Sequence, residues 1–108
     1  MIIRTNRFIP KRFDAYTIGP VILIRPTRAD DAALIAHERV HLQQFYRWLG
    51  LNGLLYLFSK KWRLEFELEA HRVEYSLAPN RLDVLAANLA HNYNVGITFT
   101  QAREAICR

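Results

Sequence analysis

The pentapeptide His37-Glu38-Arg39-Val40-His41 constrains this chain more than any other feature, because it spaces two imidazoles four residues apart with a carboxylate between them. On a helix those imidazoles share one face and can converge on a single ion, while Glu38, one position on, leans over the coordination position they leave open. H-E-x-x-H is the pattern that holds zinc on a helix with the Glu as general base. A hydrolytic zinc needs three protein ligands and one free position, so a third donor has to arrive from elsewhere in the chain. The only cysteine is Cys107, one residue from the end, which excludes an intrachain disulfide and a thiolate ligand set and leaves histidine and carboxylate.

The segment Glu65-Phe66-Glu67-Leu68-Glu69-Ala70-His71 is the natural source of that donor. Glu65 and Glu69 share one helical face, with Arg72 and Ser76 following, while Glu67, His71 and Glu74 fall on an adjacent one, so periodicity alone does not choose among the acids. Ala70 favours Glu69: a small residue lets this helix come close to the motif helix, as bonds of about 2 Å require. The expected metal set is therefore His37, His41 and Glu69, with Glu65 and Glu67 as the carboxylates that could replace the last.

Punctuation along the chain predicts an α+β fold. Gly19-Pro20 is a turn signal directly before Val21-Ile22-Leu23-Ile24-Arg25, a short β-branched run closed by Pro26, and Phe13 to Ile18 reads as its weaker partner. Thr27 followed three residues later by Asp30 reads as a capping box opening the motif helix. Leu34, His37, His41, Phe45 and Trp48 recur at helical spacing along it, which points the histidines inward, and Gly50, Asn52 and Gly53 end it. A second helical pattern runs from Leu54 to Ser76, with Ser59-Lys60 as its point of weakness, and stops at Pro79. Asn80 would cap a third helix over Arg81 to Asn92 carrying Leu82, Leu85 and Leu89, and Thr98 to Gln101 is a capping box opening a last helix to Ile106. At 108 residues this is one domain, a small N-terminal sheet followed by three or four helices, and a core can form without cross-links.

Fifteen Lys and Arg against ten Asp and Glu give a formal charge of +5, but the basic residues are scattered and carry no nucleic-acid motif, which argues against a specific nucleic-acid partner. The run Leu49 to Phe58 is too short and too interrupted to span a bilayer, whereas Trp48, Trp62 and Lys60-Lys61 suit peripheral contact with a membrane surface. No apolar stretch with a cleavage site follows Met1, so cytoplasmic residence is the expectation.

An H-E-x-x-H helix followed by a helix with Glu-Ala resembles the gluzincin branch of zinc metallopeptidases, over about Val21 to Tyr75. The chain is also similar to small uncharacterised bacterial and phage proteins with His-Glu-x-x-His-x-x-Gln and then Phe-Glu-x-Glu-Ala, matched here by Gln44 and by Phe66 to Ala70. The resemblance implies a minimal zincin-like domain, Glu69 as third ligand, and the strand Val21 to Arg25 as the rim on which a peptide docks. There are two departures. Gln43, Gln44 and Phe45 stand where a metzincin would carry Gly and a third His, and Val73 stands four residues beyond Glu69, where the gluzincins carry an acid that orients a ligating histidine, leaving Glu65, Glu74 or backbone carbonyls for that task.

These readings imply a metallopeptidase with one zinc ion per chain, Glu38 as general base, a peptide or protein substrate, and an oxyanion donor among His71, Arg72, Tyr75 and Tyr93. The rival class is a non-catalytic basic module, at a membrane surface or on nucleic acid, that keeps a zinc-site scaffold. A non-peptide amide, such as one in a cell-wall peptide, is the alternative substrate class.

Overall fold

The turn at Gly19-Pro20 works as the sequence suggests. Gly19 takes φ +55°, a conformation favoured at the first position of a two-residue hairpin, and joins β2 (Ala15–Ile18) to β3 (Val21–Ile24) in antiparallel register with Thr17 opposite Ile22 and Ala15 opposite Ile24. A computed structural model describes residues 1–108. It adds a strand that no signal in the sequence marked, β1 (Ile2–Arg4), parallel to β3 with Ile2 opposite Ile22. The sheet order is β1-β3-β2, so β3 is central and hydrogen-bonded on both sides. The expected docking rim at Val21 to Arg25 is thereby corrected: β3 has no free edge, and the strand with one beside the motif helix is β2.

Five helices follow, in place of three or four. The first, α1 (Ala32–Arg47), starts later than Thr27 predicts, because Pro26–Arg28 closes a single 3-10 turn and Asp31 is the residue whose carboxylate accepts from the Leu34 amide. At the other end Gly50, with φ +83°, bonds back to the Phe45 carbonyl and ends the run. Asn52 and Gly53 do not belong to that stop; they lie inside a separate short helix, α2 (Leu51–Phe58). Ser59 then breaks the chain and caps α3 (Lys60–Leu77) through its hydroxyl. Another 3-10 turn at Pro79–Arg81 precedes α4 (Leu82–Asn92), and the Thr98/Gln101 capping box opens α5 (Phe99–Cys107) as expected.

Two apolar layers hold this arrangement. Ile22 and Ile24 are fully buried on the inner face of the sheet, towards α1, where Ala33 and Val40 are also buried. Leu68 of α3 packs with Leu85, Ala86, Leu89, Val95, Ala102 and Ile106 of α4, α5 and their connection. Between the sheet and this second core, α1 and α3 run against each other, and the buried face of α3 carries a polar stripe, Glu67, His71 and Glu74. No helix is long and apolar enough to cross a membrane.

Candidate metal centre

On α1, His37 and His41 present their Nε2 atoms to the same carboxylate oxygen of α3. Glu67 Oε1 lies 3.6 Å from His37 Nε2 and 3.3 Å from His41 Nε2. The three ligand atoms form a cluster that could hold a metal, each within 4.8 Å of the others. A tetrahedral ion with bonds of about 2.0–2.2 Å sets its ligand atoms about 3.3–3.6 Å apart, a spacing that the two distances to Glu67 Oε1 match. Glu67 Oε1 is also buried without a hydrogen-bond partner, an expensive condition for a carboxylate that a cation between the three atoms would relieve.

Glu69 does not join this set. Its side chain is 44% exposed and Oε1 accepts from Gln44 Nε2 and Arg47 Nη2, both at 2.8 Å. The reason is helical phase. Ala70 is fully buried, as close approach of the helices requires, but the residue sharing its face on the N-terminal side is three positions back, Glu67, whereas Glu69 is turned about 100° away. The third carboxylate of the cluster is thus Glu67 instead of Glu69, and Glu65 is likewise exposed.

The outer ring nitrogens face acceptors on the side away from the cluster. His37 Nδ1 lies 2.9 Å from Glu74 Oε1, an ion-pair contact whose angle falls short of a hydrogen bond, and Glu74 is anchored in turn by Arg81 Nη1 at 3.0 Å. His41 Nδ1 lies 3.0 Å from Gln44 Oε1; because the Gln44 amide group already donates to the Phe66 carbonyl and to Glu69, its oxygen is the acceptor and His41 carries its proton on Nδ1. The His41 Nε2 lone pair is therefore aimed at the cluster, and His37 Nε2 faces it as well. Val73, where the resemblance would place an orienting acid, is replaced by Glu74 on the next position of α3. Glu69 acts at one remove, steadying Gln44, which steadies His41.

Electrostatics agree with a site built for positive charge. Burial by itself would drive His37 neutral, but the carboxylates of Glu67, Glu74 and Glu38 outweigh it and lift its pKa to about 10. Burial likewise opposes charge on His41, and Glu67 again raises it. Burial pushes the Glu67 carboxyl up, yet His41 and His37 hold it well below the usual carboxylate range. Compared with protein-family models, curated proteins and solved structures, the chain matches none.

A cleft of about 510 Å³ opens beside the cluster, lined by β2, by Glu38, His41 and Glu67, and by Tyr56 and Tyr93. Glu38 is 5% exposed, with Oε1 receiving the Thr17 hydroxyl of β2 at 3.3 Å. Among the expected oxyanion donors, only Tyr93 reaches this cleft. His71 is wholly buried, with Nδ1 2.7 Å from the Glu67 carbonyl and Nε2 3.0 Å from Asn88 Nδ2, and burial with His37 alongside lowers its pKa to about 4: a satisfied core imidazole. Arg72 is tied to the Ala105 carbonyl, and Tyr75 lies against Cys107. Tyr56 was invisible in the sequence, eleven residues before Glu67 on another helix, yet its hydroxyl donates to Glu67 Oε2 at 2.6 Å. Gln44 could have been found by its i, i+3 spacing from His41.

Proposed function

We propose that the chain is a zinc-dependent hydrolase of peptide bonds, of gluzincin type, with one zinc held by His37, His41 and Glu67 and with Glu38 as general base. The observation that carries this reading is the convergence of both Nε2 atoms on an unpartnered, buried Glu67 Oε1 while both Nδ1 atoms face outward to Glu74 and Gln44. Compared with the gluzincins, the ligand carboxylate stands three positions before the alanine, not one. Bound there, zinc would supply Lewis acidity, bringing the pKa of a water from about 15.7 to about 7 and polarising a carbonyl.

The chain's own residues account for the remaining roles. Thr17 holds Glu38 Oε1 at the cleft wall, where the carboxylate can take a proton from the attacking water and deliver it to the leaving amine. The Tyr93 hydroxyl accepts from Asn88 Nδ2 at 3.2 Å, which leaves its own proton free for a ligand in the cleft. Burial and the nearby Glu67 push that phenol well above its usual range, so it stays a donor suited to a developing oxyanion. The free edge of β2 beside the cleft offers backbone hydrogen bonds to an extended substrate, which favours peptides over esters. Replacing Glu38 by Gln should leave about one zinc per purified chain and abolish cleavage of a casein or mixed-peptide substrate; zinc-free wild type from metal-replete medium would overturn the reading, and surviving cleavage in Glu38→Gln would overturn the base.

A further inference from the structure

The charge of this chain is not spread evenly. Between Glu38 and Glu65 there is no acidic residue, and there are five basic ones, Arg39, Arg47, Lys60, Lys61 and Arg63, of which Arg47 is paired with Glu69 of α3. The same stretch holds α2, whose amphipathicity is inverted. Asn52, Gly53 and Tyr56 face the cleft with Leu57, while Leu51, Leu54 and Phe58, spaced three and four apart, form an apolar stripe turned to solvent. Phe58 is 84% exposed, and just before the helix Leu49 is 89% exposed on a backbone held at φ +52°, a conformation a leucine rarely adopts. No residue of α2 is buried. The tryptophans that first suggest a membrane contact do not belong to this surface; Trp48 and Trp62 are half-buried and pack on each other at 5.2 Å.

From this juxtaposition we infer that α2 and its basic flanks dock on an anionic phospholipid surface, with Leu49, Leu51, Leu54 and Phe58 entering the acyl boundary and Lys60 and Lys61 meeting the headgroups. Charge selects this occupant. A second copy meeting the stripe about a twofold axis would bring two acid-free basic segments together, whereas an anionic bilayer complements both the leucines and the lysines. Because Tyr56 and Leu57 on the opposite side of α2 line the cleft, docking sets this helix between the lipid surface and the cleft. The inference stands on the surface alone and does not depend on the zinc reading.

Flotation of the full chain with vesicles of phosphatidylglycerol and phosphatidylcholine in equal parts, against phosphatidylcholine alone, tests it at about 0.1 M salt. The wild type should float with the mixed vesicles and stay behind with the neutral ones. Lys60→Gln with Lys61→Gln should weaken partition roughly 30-fold, and Leu54→Gln with Phe58→Gln should abolish it while circular dichroism is unchanged, since both side chains are exposed. No preference for the anionic vesicles, or undiminished binding by Leu54→Gln with Phe58→Gln, would overturn the inference. So would a wild type that ignores vesicles but forms a concentration-dependent dimer that Leu54→Gln with Phe58→Gln abolishes.

Discussion

Replacing Glu67 and Glu69 separately by Ala discriminates between two carboxylates that differ by two positions in the chain and by a whole layer in the fold. Glu67 Oε1 stands 3.3 and 3.6 Å from the Nε2 atoms of His41 and His37, so on the proposed reading its loss would remove one of three ligands. Structural zinc sites with four ligands bind with about 10–16 kcal/mol, or about 2.5–4 kcal/mol per ligand, which predicts about 10²–10³-fold weaker zinc binding for Glu67→Ala. Glu69 reaches the centre only through Gln44 and then His41. A partner that bonds a ligating histidine directly is worth about 10–100-fold, and one step further out the effect should fall below about tenfold. Competition with a chromophoric chelator measures both, with circular dichroism confirming that each variant is folded. Equal losses in the two variants, or affinity in Glu67→Ala within about threefold of wild type, would refute the assignment of Glu67.

Tyr93→Phe removes a phenol that lines the cleft beside Glu67 and keeps its proton free, and should lower kcat by about 10²–10³-fold with KM nearly unchanged; an unaltered kcat would send the oxyanion role elsewhere. Asp31 caps α1 and accepts from Arg28 Nη2 at 2.6 Å and from Arg81 Nη2 at 2.8 Å; burial raises its pKa, but Arg81, Arg28 and the Leu34 amide outweigh that and depress it from 3.8 to about 2. A carboxylate with a depressed folded pKa stabilises above its unfolded value, so this contribution is complete above about pH 4 and is lost as pH falls through about 2. The arginines are partly open to solvent, so screening limits it to about 1 kcal/mol. Urea melts of Asp31→Asn should differ from wild type by about that amount at pH 6 and converge near pH 2; a gap that persists at pH 2 would place the effect in packing, not charge.

Much of the site was legible before any tertiary contact was known. Two histidines four apart on a run free of helix breakers can only share a face, and that local periodicity determined His37, Glu38 and His41 as a unit, the hairpin at Gly19-Pro20 and the capping box at Thr98. Such features depend on residues a few positions apart, whose relative placement backbone geometry dictates. Tertiary structure decided the rest. Which acid of α3 meets the histidines depends on the rotation of that helix about its own axis, and a buried stripe of Phe66, Glu67, Ala70, His71 and Glu74 sets that rotation through contacts on both sides that no local spacing encodes. Likewise the pairing of β1 with β3, twenty residues away, made β3 central and left the edges to β1 and β2. The inverted helix α2 follows the same rule: its composition is local, but which side would face solvent was decided only when the cleft took the other.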